Sequence, residues 1–368
     1  MIPIFTVMRR IMLLIALLLP IHAYCQHLKP GFDKEEYIEL LKIAHLQHVD
    51  ISFFDTSKLP APAHSKLVYR SPVMGLENIW DLWMKDGNTG VISVRGTTAS
   101  QVSWLANFYA AMVPATGQLK LVHNYTFTYS LSDNPRAAVH VGWLLAMGYL
   151  SRDILPRIDS CYKSGIRDFI VTGHSQGAGI SFLLTSYLYD LQAKGRMPAD
   201  IRFKTYCSAA PKPGNLYYAY SYEHTTNGGW AYTVVNSADW VPETPVSVQT
   251  VNDLNNTNAF KMAPKLIKQQ KFPKNLVMRH IYNRLSKPSL KAQRNYEKYL
   301  GRMVSKMVKK QLKGFEAPNY YSSDNYVRTG NTIVLYADSE YFKKYPDNTS
   351  NIWIHHFIGP YLFLAEKL

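Results

Sequence analysis

The chain has 368 residues, which is enough for one large or two small domains. It contains neither a Cys-x-x-Cys nor a His-Glu-x-x-His pattern, which excludes the strong metal-binding motifs. The formal net charge is +15, and residues 261–316 alone contain 16 basic residues against two acidic ones. The positive charge therefore belongs to one segment, and the rest of the chain is nearly neutral.

Residues 1–25 have the anatomy of a secretory signal. Two arginines precede an apolar run over residues 11–19, and Ala23 stands three positions before a cleavage point ahead of Gln26. The run is too short to cross a bilayer as a helix. Lipidation of Cys25 is the competing interpretation, although the residue before it is bulky where a small one is usual. We therefore expect an exported protein whose folded part begins at residue 26.

After this segment the chain alternates between strand and helix patterns. A helix is expected over 32–48, a hairpin over 78–94 with its turn at Asp-Gly-Asn, and a long helix over 137–163 that Pro156 kinks or splits. Further strands are expected at 168–172, 202–207, 231–235 and 332–336. Such alternation predicts an α/β fold with a mainly parallel sheet and helices on both faces. Residues 250–330 interrupt the alternation and read as a basic helical insertion rather than a second domain.

The most informative stretch is residues 168–179, where an apolar strand pattern runs into Gly-His-Ser-Gln-Gly and then into an apolar helix pattern. Gly-x-Ser-x-Gly between a strand and a helix is the nucleophile elbow, whose glycines permit a tight turn that exposes the serine hydroxyl. The bare pattern is weak, and an ordinary strand–turn–helix is the alternative. The flanking patterns favour Ser175 as a nucleophile.

A serine nucleophile needs a base, and the base needs a group that orients it. With this elbow the three residues follow in the order Ser, Asp, His. Asp239 lies in a loop after the strand pattern at 231–235, where a turn or a helix cap is the alternative role. His280 lies in the basic segment, whereas His355 and His356 follow the last strand. Order and spacing favour the pair His355 and His356.

The oxyanion formed by serine attack needs two hydrogen-bond donors. The backbone N–H of Gln176, the residue after the nucleophile, supplies one by construction. The second should come from a loop after an early strand. Residues 91–98 fit, because a strand pattern ends at Gly96 and is followed by Thr97, which offers an N–H and a hydroxyl. Taken alone, this stretch would read as a turn.

Together these motifs resemble the class 3 lipases, the fungal-lipase-like hydrolases of α/β-hydrolase fold. The matching motifs follow one another in the family's order at 94–97, 139–143, 173–177, 209–215, 239–242 and 356–362. The chain departs from the family pattern at Val94, where an aromatic residue is frequent, and at Gln176 and Ala178, where Leu and Gly are frequent. The long basic insertion has no counterpart in compact members.

The resemblance implies a role for each matching residue: nucleophile Ser175, acid Asp239, base His356, and oxyanion donors Thr97 and Gln176. It implies no metal and no organic cofactor. His356 is preferred over His355 because the spacing from His356 to Tyr361 matches one family variant. In the family, the position of residues 101–113 carries a short amphipathic lid. A helix packed into the core is the alternative interpretation of this apolar stretch.

The basic segment has two interpretations of its own. A helix over 289–315 would place four apolar side chains on one face: Tyr296, Leu300, Met303 and Met307. A basic amphipathic helix indicates a membrane-surface element, so an anionic membrane facing Lys261 to Lys313 is a candidate partner. The alternative is a solvated helix whose apolar stripe packs on the body. Nucleic-acid binding is disfavoured, because no recognised motif accompanies the charge and export argues against it.

We therefore expect an exported serine esterase or lipase that hydrolyses carboxylic esters of lipids, triacylglycerol or phospholipid, through an acyl-enzyme. The alternative from another class is a membrane- or surface-binding protein on a hydrolase scaffold with vestigial catalysis. The intact order of Ser175, Asp239 and His356 disfavours that alternative.

Overall fold

The computed structural model describes residues 27–47 and 59–368, so the predicted secretory segment 1–25 lies outside the described residues. Within the described part, the strands are β1 (Ser65–Arg70), β2 (Trp80–Lys85), β3 (Thr89–Val94), β4 (Met112–Pro114), β5 (Thr116–Val122), β6 (Tyr125–Ser130), β7 (Ala138–His140), β8 (Asp168–His174), β9 (Arg202–Ser208), β10 (Gly214–Asn215), β11 (Ala231–Asn236), β12 (Tyr326–Val327) and β13 (Asn331–Leu335).

The α-helices of the same described part are α1 (Lys34–Leu46), α2 (Gln101–Phe108), α3 (Val141–Lys163), α4 (Gln176–Ala193), α5 (Leu216–Thr225), α6 (Ala259–Lys268), α7 (Lys274–Tyr296), α8 (Val304–Gln311), α9 (Ser339–Lys344) and α10 (Ile358–Ala365). A 3₁₀ turn at Val241–Glu243 follows β11, and a π-helical turn at Glu297–Met303 joins α7 to α8.

A seven-stranded sheet forms the centre, in the order β1-β2-β3-β8-β9-β11-β13. The strands from β3 to β13 run parallel to their neighbours, whereas β1, β2 and β3 pair antiparallel. The β2–β3 hairpin turns at Asp86 and Gly87, both with positive φ, as Asp-Gly-Asn predicted. The predicted mainly parallel sheet is confirmed.

Helices cover both faces of this sheet, and alternate side chains of the central strand show why. Phe169 and Val171 of β8 pack in the core shared with α3 and α4. Ile170, between them, packs in the core shared with α1 and α10. Because side chains alternate along a strand, a continuous apolar run buries both faces at once.

The helix α3 runs through Pro156 as one element of 23 residues. Of the two predicted effects of Pro156, a kink or a split, the split is therefore wrong. Ile154 and Ile158 on either side are buried in the core, and this packing holds the turns before and after the proline together. Tertiary burial here outweighs the local cost of the missing N–H.

Only eight of the 13 residues in the predicted lid stretch 101–113 are helical. The helix α2 ends at Phe108, and the chain then extends into β4, which pairs with β7 in a four-stranded sheet. Leu105 and Ala106 are buried, whereas Phe108 is exposed. One side of α2 thus packs on the core and its C-terminal end meets solvent.

The basic segment folds into α6, α7, the π-helical turn and α8. The predicted apolar stripe is wrong from its third member onward, because Met303 and Met307 are 52% and 49% exposed. The buried positions are Val304 and Val308, one residue further on.

The reason for this shift is the π-helical turn. In an α-helix, the side chain four residues further on points about 40° away from the first around the helix axis. A row of side chains that all face the body must therefore alternate steps of three and four residues. In the π turn the backbone hydrogen bonds join residues i and i+5, so each turn contains more residues than in an α-helix. Side chains spaced four residues apart across this turn therefore continue to face the body. The body-facing row is Tyr296, Leu300, Val304 and Val308.

Candidate active site

The serine elbow lies where β8 passes into α4. Ser175 has φ 60° and ψ −128°, a conformation that non-glycine residues seldom adopt and that is held here by surrounding contacts. Its backbone N–H donates to the Ser208 carbonyl of β9 (3.0 Å). Gly173 lies so close to the start of α4 that a Cβ added to it would be 2.3 Å from the Gly177 carbonyl carbon.

The second elbow glycine, Gly177, faces the neighbouring strand. A Cβ at this position would lie 2.1 Å from the Val94 carbonyl oxygen of β3. Both glycines are therefore required by close backbone approach, and no side chain fits in their place. This contact brings the start of α4 next to the loop that begins after β3.

Asp239 and His356, which are 117 residues apart in the sequence, are in contact in the structure. His356 Nδ1 lies 2.7 Å from Asp239 Oδ2, and both side chains are almost fully buried. Asp239 Oδ1 also accepts from the Val241 backbone N–H (3.0 Å), and Oδ2 accepts from the Tyr361 hydroxyl (2.8 Å). These bonds fix the carboxylate, and the carboxylate fixes the imidazole ring. His356 and Ser175 line the same cavity.

His355, the neighbouring candidate, is engaged elsewhere. Its Nδ1 lies 2.8 Å from the Tyr341 hydroxyl, and its Nε2 lies 3.0 Å from Asp347 Oδ1. Its backbone carbonyl accepts from Asn236 Nδ2 (3.0 Å). Both ring nitrogens are therefore occupied, and His355 is not among the residues that line the cavity.

A second buried histidine, which the sequence interpretation missed, supports the His356 loop. His174 Nε2 lies 2.8 Å from the His356 carbonyl oxygen, and its Nδ1 lies 3.1 Å from Ser208 Oγ. Because a carbonyl only accepts, Nε2 carries the proton and Nδ1 is the acceptor. Tyr37 contacts the same Ser208 hydroxyl at 2.8 Å. This chain of bonds ties the histidine loop to β8 and β9.

The two predicted oxyanion residues are also in contact. The Thr97 hydroxyl donates to Gln176 Oε1 (3.2 Å) and accepts from Asn107 Nδ2 (2.8 Å). Gln176 Nε2 in turn donates to Asn78 Oδ1 (3.1 Å), and Trp143 Nε1 donates to Asn107 Oδ1 (3.0 Å). The Thr97 hydroxyl proton is thus directed at Gln176 rather than at the cavity. Asn78 and Asn107 had no signal in the sequence, because their partners are distant along the chain.

A cavity of about 270 Å³ opens beside Ser175 and His356. Thr97, Asn107 and Gln176 form part of its polar side. Most of the remaining lining is apolar: Trp104, Phe108, Ala110, Trp143, Pro211, Trp240, Val241, Pro245, Val246, Tyr296, Leu300 and Trp353. Trp353 bridges the aromatic wall, with its ring centroid 5.7 Å from Trp104 and 4.8 Å from Trp240. An apolar cavity with a few convergent polar groups is the usual form of a small-molecule site.

Among residues 27–47 and 59–368, no group of three or more His, Cys, Asp or Glu side chains is arranged to hold a metal ion. In the same residues, none of the helices combines the length and the apolar character needed to cross a membrane.

A serine elbow at the end of a central strand, in a mainly parallel sheet covered by helices on both faces, defines an α/β-hydrolase. Residues 91–249 match the sequence profile of the family described as lipase (class 3). Over this range the chain is similar to the class 3 lipases, and this similarity supports a carboxylic ester hydrolase. The matched range includes Thr97, Ser175, Gln176 and Asp239. It ends before the basic segment and the two candidate histidines.

Similar solved structures are lipases. The Rhizomucor miehei lipase propeptide complex is 20% identical, with a TM-score of 0.41 over 59% of this chain and 66% of its own. The lipase from Rhizopus microsporus var. chinensis is 21% identical, with a TM-score of 0.42 over 58% and 69%. Lipase II from Rhizopus niveus is 22% identical, with a TM-score of 0.41 over 58% and 75%. A search of curated proteins returned no match.

Proposed function

We propose that the protein hydrolyses ester bonds of lipids, with Ser175 as nucleophile, His356 as base and Asp239 as the group that orients the base. The observation that carries this proposal is the 2.7 Å contact between His356 Nδ1 and Asp239, in a cavity that His356 shares with Ser175. With Nδ1 held by the carboxylate, Nε2 is the ring nitrogen left to exchange protons with the serine hydroxyl.

The reaction proceeds in two halves. His356 takes the proton of Ser175 Oγ as the oxygen attacks the ester carbonyl, and the backbone N–H groups of Thr97 and Gln176 stabilise the oxyanion. His356 then gives its proton to the departing alcohol, which leaves an acyl-serine. A water molecule, deprotonated by His356, attacks the acyl carbon, and the carboxylic acid leaves as the proton returns to Ser175. Asp239 stabilises the imidazolium in both halves.

The cavity supports a lipid rather than a polar ester as substrate. Tryptophan, phenylalanine and aliphatic side chains form most of its wall, whereas only a few of its lining residues are polar. Such a wall favours a hydrocarbon chain, because apolar surface is removed from water on binding. At about 270 Å³ the cavity lies just below the usual size range of ligand sites, which suits a single acyl chain.

The test of the mechanism is Ser175→Ala, assayed with short p-nitrophenyl esters and with a fluorophosphonate probe. The variant should lose turnover by orders of magnitude while keeping its circular dichroism spectrum and its unfolding midpoint. The wild type should be labelled by the probe at Ser175. Turnover close to that of the wild type in the purified variant would exclude the serine mechanism. It would favour the second candidate, a surface-binding protein with vestigial catalysis.

Export is a further proposal, which rests on the arginines and the apolar run within residues 1–25. The mature protein should begin at Gln26, and N-terminal sequencing of protein purified from the exporting host checks this. A mass that corresponds to acylated Cys25 would instead establish a lipid-anchored form.

We also propose that the basic segment binds an anionic membrane surface. Two helices in this segment expose apolar side chains that the fold does not cover: Phe260, Met262 and Leu266 on α6, and Val277, Ile281 and Leu285 on α7. Basic residues occupy the neighbouring positions, and the segment carries most of the net charge of the chain. Each Lys or Arg near an anionic surface contributes about 1 kcal/mol, and exposed apolar side chains add insertion.

The membrane proposal is tested with vesicles of mixed anionic and zwitterionic lipid and with purely zwitterionic vesicles. Wild-type binding should require anionic lipid and should weaken sharply with salt, because the attraction decays within a Debye length. Hydrolysis of a soluble ester should barely change with salt. Replacing Lys306, Lys309, Lys310 and Lys313 with Gln should lower activity on anionic lipid only.

A matched pair tests the apolar faces. Ile281→Ser should weaken vesicle binding, whereas Val68→Ser on strand β1, at similar exposure (57% against 53%), should not. Equal binding to both vesicle types, or equal effects of the two serine variants, would leave the segment as a solvated insertion.

A further inference from the structure

The basic segment also supplies one wall of the substrate cavity. Tyr296, the last residue of α7, and Leu300, in the π-helical turn, line the same cavity as Ser175 and His356. The remaining walls come from the hydrolase body. The insertion thus contributes to the site as well as to the surface of the molecule.

This wall is fixed to the body. The Leu300 carbonyl accepts from the Ala111 backbone N–H (3.2 Å), next to Ala110, which also lines the cavity. At the following residue, Gly301, an added Cβ would lie 2.9 Å from Ala111 Cβ and 3.2 Å from the Tyr320 ring. A backbone held this close leaves Leu300 little freedom to move out of the cavity.

The π-helical turn connects this wall to the core. Val304 and Val308 belong to the main hydrophobic core, so the helix after the turn is anchored over two further turns. The wider turn keeps Leu300 and Val304 on the same side of the helix. The same row of side chains therefore lines the cavity at Tyr296 and Leu300 and packs in the core at Val304 and Val308. Single π turns inside α-helices are found frequently at functional sites.

We propose that Tyr296 and Leu300 determine specificity by contacting the acyl chain of the substrate and limiting its length. This inference rests on the proposed ester hydrolysis. A side chain in the wall of an apolar cavity selects by size, because substrate atoms beyond the available space must displace protein atoms. The family match ends at residue 249, so Tyr296 and Leu300 lie outside the matched range.

Two substitutions of opposite size test the wall. Leu300→Ala should raise the ratio of kcat/KM for p-nitrophenyl dodecanoate over butyrate by about 10-fold or more, the scale set by a few methylenes in an apolar pocket. Leu300→Phe should lower the same ratio. Met303→Ala is the matched control, because Met303 lies in the same turn, is exposed and does not line the cavity. Unchanged ratios in both Leu300 variants would overturn the proposal.

A binding measurement separates this inference from the chemistry. In a Ser175→Ala background, calorimetric titration with decanoate should give a Kd that changes with Leu300→Ala and Leu300→Phe but not with Met303→Ala. If the wild type hydrolyses no ester and decanoate binding still depends on Leu300, the role of Leu300 in acyl-chain binding is supported and the proposed hydrolysis is refuted. If esters are hydrolysed and neither the kcat/KM ratio nor the Kd for decanoate depends on Leu300, the proposed hydrolysis is supported and the role of Leu300 in chain-length selection is refuted.

Discussion

Replacing each of the two adjacent C-terminal histidines with alanine should have opposite consequences for activity and similar consequences for stability. His356 contacts Asp239 and lines the cavity, whereas His355 contacts Tyr341 and Asp347 away from it. His356→Ala removes the proposed base, so kcat/KM should fall at least about 10³-fold, which corresponds to about 4 kcal/mol. His355→Ala should keep kcat/KM within about 10-fold of the wild type.

The effects on stability follow from the partners that each substitution leaves behind. His356→Ala leaves the buried Asp239 carboxylate with two remaining donors, Tyr361 and the Val241 N–H, so the cost should not exceed about 3 kcal/mol. In His355→Ala the lost contact with the exposed Asp347 carboxylate is worth about 1 kcal/mol or less. The Tyr341 hydroxyl loses its acceptor, which should cost about 1–3 kcal/mol.

The assay pairs steady-state hydrolysis of p-nitrophenyl butyrate with urea unfolding of the same preparations. His356→Ala should lose activity far in excess of any change in the folded fraction, whereas the loss in His355→Ala should track that fraction. A large loss of kcat/KM in fully folded His355→Ala, with near-normal kcat/KM in His356→Ala, would refute the reasoning and assign the base to His355.

Two further substitutions test buried polar groups. Tyr361→Phe removes a hydrogen-bond donor to Asp239 and the acceptor of the Asn236 backbone N–H. We therefore expect the free energy of unfolding in urea to fall by about 2 kcal/mol and kcat to fall about 10-fold. An unchanged kcat would contradict this expectation. Burial and the nearby Asp253 carboxylate raise the pKa of Asp324 to about 7. The folded chain then keeps a proton that the unfolded chain releases above about pH 4, so stability should fall as pH rises from 4 to 7, by at most about 1.4 kcal/mol per pH unit. Asp324→Asn should flatten this dependence, and parallel pH profiles of the two proteins would count against it.

The features that could be predicted from the sequence are those with a local physical cause. Alternating strand and helix patterns gave the parallel sheet, and Gly173 and Gly177 marked the elbow because close backbone approach excludes side chains there. The chain order of Ser, Asp and His selected Asp239 and a C-terminal histidine, which the fold brings within 2.7 Å of each other.

The features that could not be predicted depend on partners distant in sequence. His174 supports the His356 loop across 182 residues, and no pattern near either residue indicates this contact. The helix at Pro156 remains whole because of burial on both sides, which propensity alone does not include. The inward row of α7 and α8 shifts by one residue at a π-helical turn, and a search for α-helical periodicity assumes that no such turn exists.

The parallel register of β3 and β8 has a consequence for how activity is lost. Val94, which precedes the proposed oxyanion donor Thr97, pairs with Gly173, which precedes the proposed nucleophile Ser175. A slip of one residue would reverse the buried faces, so the smallest slip that keeps them is two residues, or about 6.6 Å. A hydrogen bond cannot span such a displacement, so β3 and β8 are either paired in the native register or not paired. The proposed catalytic residues are therefore held either in their native arrangement or not at all. Enzymatic rate during denaturation should therefore report the population of molecules in which these two strands are paired, and should decline in proportion to it rather than through weakly active intermediates.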